Sequence, residues 1–397
     1  MRRVAKSAFA AISLLLSSRA IAQIGGTGAD GVFHPQADVT LDTTTRPGGW
    51  DFITVTIPPG VTVRLVGTNP AILRSQGPVR IDGNLDADGF PPIGGIGGAP
   101  GPGGYAGGDA GSPGAGPAGG AGGSYSPFGI SAGTPGGHAT PGFRLGVPST
   151  GTYGDDWVFD LRGGSGAGGN TWPLSWGPPW GVGGGGGGGV VVVLTDSTLD
   201  LAGFVSARGP QPATSSPGAA GGIFLRALDV VTIHATARID AAGIQDLFGF
   251  SGSGDGYVRL DGYGASPVIA AGATITPAPL SLAVPAMRHA QPPQVGVVYV
   301  VEAATGPGDN VAFFVATGSA NIPLPPIGTL ELDPTLTLLL GTAVAPNVAP
   351  DPQATSSLLV PNNPALVGLH LWLQCINALT PIAAGPRLSN AIATQIR

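Results

Sequence analysis

An eleven-residue phrase occurs twice in the same register, at residues 79–89 (VRIDGNLDADG) and 199–209 (LDLAGFVSARG). Both copies place apolar residues at the first, third and seventh positions, Gly at the fifth and eleventh, and Ala at the ninth. A variant with two extra residues follows at 231–243 (VTIHATARIDAAG). Alternation with a period of two, punctuated by Gly, is typical of short strands joined by turns. Its recurrence predicts stacked coils of a parallel β-solenoid.

The repeat unit is longer than the phrase itself. Leu73-Arg74 precedes Val79 by the interval that separates Leu225-Arg226 from Val231, so one repeat spans about twenty residues. A further copy begins near 257–260 (YVRL). We therefore expect solenoid coils over 71–92 and 190–275.

The segment 23–70 precedes these coils and differs from them in texture. Its alternating stretches 52–57 and 61–66 flank the turn Pro58-Pro59-Gly60, which predicts two strands joined by a turn. The open edge of a solenoid needs protection from pairing with other chains. The segment is therefore predicted to be an N-terminal cap.

A glycine-rich insertion, 93–189, separates the two parts of the solenoid. It ends in seven consecutive glycines, 183–189, and its five Gly-X-Y triplets lose their phase at Ala110. Collagen needs Gly at every third position without a slip, so we do not expect a triple helix. Two structures remain open. One is a flexible loop, favoured by the scarcity of side chains to bury; the other is a set of extended, polyproline-II-like strands along one side of the solenoid.

Aromatic residues concentrate in one part of this insertion, which disordered segments rarely show. One interpretation is that the rings pin the insertion to the solenoid. The other is a platform on which sugar rings stack, and its candidate ligand-binding residues are Trp157, Trp172, Trp176 and Trp180, four of the chain's six tryptophans. Tyr153 and Phe159 complete the aromatic cluster.

Residues 278–397 read as a separate unit. Apolar runs such as 295–303, 310–318, 335–341 and 368–374 alternate with Pro- and Gly-rich turns, which predicts a small antiparallel β-sandwich. The predicted fold class is thus all-β: a short parallel β-solenoid interrupted by a large Gly-rich insertion, followed by a small antiparallel β-sandwich.

The N-terminus and the charge balance bear on where the chain works. Residues 1–22 combine basic residues, a short apolar stretch and the sequence Ala20-Ile21-Ala22, which predicts a cleaved signal peptide. Loss of its four cations takes the formal charge from −6 to −10, and Lys6 is the only lysine. An acidic surface argues against nucleic acid as a partner. No later segment has the length and apolarity of a transmembrane helix, so we expect an exported protein, extracellular or on the cell surface.

Catalytic chemistry finds little support in the sequence. Polysaccharide-cleaving solenoids need clustered carboxylates, but the adjacent pair Asp155-Asp156 lies in the insertion rather than on a coil. His234 alternates with buried-type residues and is predicted to face solvent. Arg74, Arg80 and Arg226 lack a neighbouring acidic cluster in sequence. We predict no catalytic residue.

Metal and cofactor motifs are weak as well. Residues 86–89 (DADG) lack the rest of a calcium loop, and 251–260 (SGSGDGYVRL) only faintly resembles a calcium-binding nonapeptide. No Cys/His spacing indicates zinc and no phosphate-binding loop is present. We predict no metal and no cofactor. Cys375, the single cysteine, lies in an apolar run and is predicted to be buried and inert.

Three regions resemble a group of exported Gly-rich proteins of planctomycetes and myxobacteria. The opening 28–63 (GADGVFHPQADVTLDTT to WDFITVTIPPGVTV) resembles their entry motif, and the coils resemble their solenoid repeats. Residues 358–374 (LLVPNNPALVGLHLWLQ) with 388–396 (LSNAIATQI) resemble a recurrent C-terminal sandwich module. The resemblance implies a surface location and supplies no catalytic residues. The expected function is a non-enzymatic structural or adhesion role in the cell envelope or matrix, with extracellular polysaccharide or other envelope proteins as partners. The alternative is a polysaccharide-binding or polysaccharide-cleaving protein.

Overall fold

The computed structural model describes residues 24–126, 129–130, 132–154, 161–171, 181–210, 216–245, 251–263, 265–289, 291–305, 308–325, 327–346, 353–378 and 386–397. The predicted signal peptide lies outside these residues. Among them no helix has the length and apolarity needed to cross a membrane.

Strands account for the regular structure of the described residues before the C-terminal unit. Before the insertion they are β1 (Val32–Phe33), β2 (Val39–Asp42), β3 (Trp50–Phe52), β4 (Thr54–Ile57), β5 (Thr62–Val66), β6 (Ala71–Ser75), β7 (Val79–Ile81) and β8 (Asn84–Asp86). The insertion carries β9 (Tyr125–Ser126), β10 (Gly129–Ile130), β11 (Phe143–Arg144), β12 (Val147–Pro148), β13 (Asn170–Thr171) and β14 (Gly181–Val182). The solenoid continues with β15 (Val190–Thr195), β16 (Leu199–Leu201), β17 (Phe204–Ser206), β18 (Gly222–Ala227), β19 (Val231–Ile233), β20 (Arg238–Asp240), β21 (Ser251–Gly252), β22 (Tyr257–Tyr263), β23 (Val268–Ile269), β24 (Thr274–Thr276) and β25 (Leu280–Val284).

Three parallel six-stranded sheets form a three-sided solenoid. Sheet 1 has the order β1-β4-β7-β16-β19-β23, sheet 2 has β2-β5-β8-β17-β20-β24, and sheet 3 has β3-β6-β15-β18-β22-β25. The repeated phrases are successive rungs of this ladder: Leu199 lies opposite Val79, and Val205 lies opposite Leu85. The predicted fold class is confirmed.

The solenoid core follows from the alternation that the repeats show. In sheets 1 and 2 every second residue points inward, and Val79, Ile81 and Leu85 are at most 1% exposed. Most outward positions of the central rungs carry polar side chains, such as Arg80, Asp86 and Thr232, as expected of a sheet with one face in water.

The segment 23–70, predicted as a cap, contributes strands to all three sheets, and β1, β2 and β3 are their edge strands. Its described part supplies the first two strands of sheets 1 and 2 and the first strand of sheet 3. Val55, Ile57, Val63 and Leu65 are buried in the same core as the repeated phrases. The turn at 58–60 joins sheet 1 to sheet 2, so it is a corner of the solenoid rather than a hairpin. The apolar residues of this segment alternate inward as in the repeats, although the segment lacks the Gly and Ala positions of the repeated phrase.

The middle strands of sheet 3 are buried on both faces, unlike those of the other two sheets. β15 and β18 are buried along their whole length, which explains the continuous apolar run at 190–194. Ile24 and Leu161 pack with Val192 and Phe224 on its outer side.

The glycine-rich insertion contains hydrogen-bonded extended strands. The consecutive N–H groups of Gly186, Gly187 and Gly188 donate to Phe90 O, Tyr105 O and Ala219 O, which lie on three different chain segments. Three directions in three residues are the geometry of a polyproline-II-type helix, which has three residues per turn. Of the two structures left open by the sequence, the described residues adopt the second.

The chain segments around the glycine run 183–189 lie too close to it for any side chain to fit. A Cβ at Gly187 would lie 1.8 Å from Gly164 O, and one at Gly186 would lie 2.1 Å from Ala99 O. The run 183–189 is glycine because neighbouring chain segments, mostly through their backbone atoms, surround it closely. We call this assembly the glycine bundle.

The glycine bundle is larger than the predicted insertion. Three excursions leave the corner between sheets 2 and 3, over 87–189, 207–221 and 241–256. They bond to one another and to the solenoid: Ala219 N donates to Ser165 O, and Gly254 N donates to Gly136 O. The bundle therefore continues the solenoid at this corner.

The C-terminal part is the predicted antiparallel sandwich. Its elements are β26 (Ala286–His289), β27 (Val298–Ala304), β28 (Asn310–Ala316), β29 (Ser319–Leu324), β30 (Gly328–Leu332), β31 (Leu338–Val344), β32 (Gln353–Leu359), a 3-10 turn (Pro364–Leu366), β33 (His370–Ala378), β34 (Arg387–Leu388) and β35 (Ile392–Gln395). The sheets have the orders β26-β27-β32, β31-β28-β33-β34 with β35 also on β33, and β29-β30. The solenoid extends to Val284, so the sandwich begins later than residue 278.

Candidate functional site

The outer face of sheet 2 carries a row of polar side chains that crosses the rungs. Arg64 lies opposite Asp86, Asp86 opposite Ser206, and Ser206 opposite Asp240. Adjacent strands lie about 4.8 Å apart, so these outward positions form one continuous line. Asp88 and Arg208 extend it towards the glycine bundle. We call these side chains, with Arg238, the sheet 2 row.

Ion pairs hold the row together across rungs that are far apart in sequence. Arg208 donates to Asp88 Oδ2 from Nε at 3.3 Å and Nη2 at 3.1 Å, and its Nη1 lies 3.7 Å from Asp240 Oδ2. Arg238 Nη2 lies 2.6 Å from Asp240 Oδ2, and Arg64 pairs with Asp86. Three guanidinium groups thus balance three carboxylates.

Two aromatic rings fix the planes of the guanidinium groups. Arg64 lies over the Phe90 ring at 4.3 Å from its centroid. Arg208 and Arg238 flank the Phe204 ring at 5.8 and 5.1 Å. Cation–π contacts of this kind orient the long arginine side chains and present flat surfaces.

The electrostatics of the row are set by partial burial. Burial raises the pKa of Asp88, and the negative charge of Asp86 adds to the effect; the Arg208 backbone N–H and guanidinium act in the opposite direction. Arg64 Nε is buried without a hydrogen-bond partner. The row offers hydrogen-bond donors and acceptors to a ligand with paired hydroxyl groups. Its carboxylates are already ion-paired with guanidinium groups.

The predicted stacking residues Trp157, Trp172, Trp176 and Trp180 lie outside the described residues, as do Phe159 and the pair at 155–156. Tyr153, from the same cluster, is described. Its hydroxyl donates to Gly163 O, and its ring lies 4.6 Å from the ring of His138. Tyr257 donates from its hydroxyl to Tyr153 O at 3.0 Å. Tyr153 thus contacts Tyr257 of the solenoid through its backbone carbonyl oxygen, while its ring packs against His138 within the glycine bundle.

The other candidate residues are dispersed. His234 directly follows β19 of sheet 1 and is half-exposed, facing solvent as predicted, with Nε2 3.6 Å from Asp200 Oδ1. Arg74 pairs with Asp51 and Arg80 with Asp82, on separate sheets. Arg226 is buried against Asp261 beneath the sandwich. The structure does not bring these arginines together.

The two calcium candidates are engaged in other ways. Asp86 and Asp88 belong to the sheet 2 row. Asp255, in the tract 251–260, accepts a hydrogen bond from Gly243 N at 2.7 Å and fixes a turn of the glycine bundle. In the described part of the chain no group of three or more His, Cys, Asp or Glu could hold a metal ion.

Sequence reasoning missed Arg208, Arg238, Phe90 and Phe204 as members of one surface. The repeats did contain a sequence signal for this surface, because Asp88 and Arg208 are opposite charges at the tenth position of the two eleven-residue phrases. Recognising it requires the register of the ladder, because 120 residues separate this pair.

Comparison with protein-family models, with curated proteins and with solved structures finds no match to this chain. The function is therefore inferred from the geometry.

Proposed function

We propose that the protein is an exported, non-enzymatic structural or adhesion protein of the bacterial cell envelope or extracellular matrix. One observation carries the proposal: backbone hydrogen bonds link the strands of sheet 3 directly to the glycine bundle. Val190 N of β15 donates to Pro102 O, Gly222 N of β18 to Gly189 O, and Tyr257 N of β22 to Gly221 O.

Such a body is stiff because its links are main-chain ladders rather than flexible side chains. Sheet 3 is covered, whereas the outer faces of sheets 1 and 2 present polar residues to solvent. This is the form of a scaffold that displays two faces. The sequence resemblance and the predicted signal peptide support the envelope location.

A second candidate function is retention of extracellular polysaccharide on sheet 2. The observation that favours it is the half-buried Phe204, whose ring centroid lies 5.8 and 5.1 Å from the guanidinium groups of Arg208 and Arg238, which are themselves bound to Asp88 and Asp240. A flat ring beside paired donors and acceptors suits a pyranose chain. The tryptophans at 157, 172, 176 and 180 are proposed to contribute stacking surfaces.

Incubation with a panel of neutral and acidic polysaccharides tests both functions. New reducing ends or unsaturated products would overturn the non-enzymatic proposal. Retention without turnover would support adhesion through glycans. Arg208→Gln should then weaken retention at least tenfold, whereas Arg80→Gln, a matched change of an ion-paired arginine on sheet 1, should not.

Location is tested separately. Immunogold labelling of native cells should place the protein outside the inner membrane. Replacement of Trp172, Trp176 and Trp180 with Ala should abolish glycan retention with little change in Tm if they form the platform. Loss of folding would assign them to packing.

A further inference from the structure

The sandwich contains a cleft beside the first half of β27. Among the described residues, β26 pairs with residues 301–304 of that strand, and residues 291–294 form no ladder pair with it. The resulting cleft measures about 160 Å³. Its lining residues are all uncharged, and they are Gln291, Pro292, Gln294, Val297, Val298, Tyr299 and Val300.

The ladder pattern shows which backbone groups face this cleft. In antiparallel pairs the N–H and C=O of a residue point to the same neighbour, and the direction alternates along the strand. Met287 N and O are bonded by the Asn390 side chain, so Met287 and Ala303 form a pair without mutual hydrogen bonds. Even-numbered residues of β27 therefore point towards β26.

The hydrogen bonds on the other side of β27 lead to the same assignment. Val297 O accepts from Val360 N at 3.1 Å, which directs odd-numbered residues of β27 towards β32. Val298 thus directs its N–H and C=O into the cleft. Continuation of the register would bring Pro292 opposite Val298, and a proline has no N–H to offer. Among the described residues none hydrogen-bonds Val298 on this side.

We propose that this cleft binds an extended, uncharged peptide segment of a partner protein, which adds as a short strand beside Val298. The N–H and C=O of Val298 can pair with the C=O and N–H of one residue in an antiparallel partner strand. The rim is apolar: Val297, Val298 and Val300 are 50, 55 and 43% exposed. The side-chain amides of Gln291 and Gln294 complete an uncharged wall that disfavours a charged segment.

The test uses the full chain and a fluorescent, end-capped Val-Thr-Val-Thr-Val peptide, with binding measured by anisotropy. Two N-methylated versions are compared, one at residues 2 and 4 and the other at 1, 3 and 5. Because a strand binds through one edge, one version should lose at least tenfold in affinity and the other should bind as the parent does. Equal behaviour, or no binding at about 1 mM, would overturn the proposal.

A pair of variants locates the site. Val298→Pro removes the N–H that faces the cleft and should weaken peptide binding at least tenfold; edge strands tolerate proline. Leu359→Pro is the matched control, since Leu359 lies opposite Val298 and its N–H points to the other edge. Equal affinity in the two variants would refute the proposal. Displacement of the peptide by N-acetylglucosamine would assign the cleft to an amide-bearing sugar instead. If Val298→Pro does not fold, the methylated peptides decide.

Discussion

The guanidinium of Arg226 donates twice to one carboxylate oxygen of Asp261, at 3.0 Å from Nε and 2.6 Å from Nη2, although both side chains are at most 2% exposed. Arg259 donates to the same carboxylate, and both arginines lie over the Phe224 ring. Arg226 Nη1 also donates to Thr305 O of the sandwich. This buried cluster joins the outer side of sheet 3 to the C-terminal unit.

Asp261→Asn should destabilise the protein by about 3–5 kcal/mol, because it leaves two buried guanidinium groups without their shared counter-charge. Urea unfolding measures the change. Asp82→Asn is the control, since Asp82 pairs with Arg80, which is 65% exposed; an exposed pair contributes about 0–1 kcal/mol. Similar losses in the two variants would contradict the assigned role of the buried cluster.

Gly187→Ala should destabilise the glycine bundle by about 3 kcal/mol or more, because the new methyl group would lie 1.8 Å from Gly164 O. The measurement is thermal unfolding together with amide hydrogen exchange over 163–189. Gly151→Ala provides the comparison in the same insertion, where a Cβ meets nothing within 4 Å. An unchanged Tm for Gly187→Ala would show that the close strand packing does not hold in solution.

Asp196→Asn should remove a pH dependence of stability. Burial raises the pKa of Asp196, whose Oδ1 accepts from Ile24 N and Gly25 N, each at 2.9 Å. A carboxyl group with a raised pKa binds its proton more tightly in the folded state. Its contribution to stability therefore falls as pH rises from its ordinary value through the raised one.

Urea unfolding of wild type and Asp196→Asn between about pH 4 and pH 7 measures this difference. Relative to wild type, the variant should become more stable as pH rises, because its amide does not ionise whereas the buried carboxyl group of wild type does. The amide oxygen of the variant can still accept the two N–H bonds. Asp196→Ala should instead lose about 1–3 kcal/mol, because both donors are left unpaired. A difference between wild type and Asp196→Asn that stays constant with pH would refute the assignment.

Cys375 should not react with thiol reagents in the native protein. It is fully buried, and burial raises the pKa of its thiol to about 12. Reaction requires the thiolate and access to it, so alkylation at pH 8 should proceed only after unfolding. Mass spectrometry with iodoacetamide, with and without guanidinium chloride, measures this, and rapid native labelling would show that the sandwich opens at this strand.

The inward positions of the solenoid could be predicted because they follow a local rule. Val79, Ile81 and Leu85 alternate with polar residues, and period-two alternation places one face in the core whatever lies between the repeats. The sandwich and the burial of Cys375 were predictable for the same reason: apolar strands and turn residues are local signals.

The site could not be predicted in the same way. Asp88 and Arg208 meet because two rungs stack after a long excursion closes, and no local pattern specifies that closure. The glycine run 183–189 likewise suggested either a loop or strands, since glycine permits both.

The repeats alone determined that the chain forms rungs and which side chains face the core, because alternation is a property of a single strand. Only the tertiary structure decided what covers sheet 3, how three excursions combine into the glycine bundle, and which outward residues form the sheet 2 row. Those outcomes depend on backbone groups from distant segments satisfying one another, and such pairing is specified by the assembled ladder rather than by neighbouring residues.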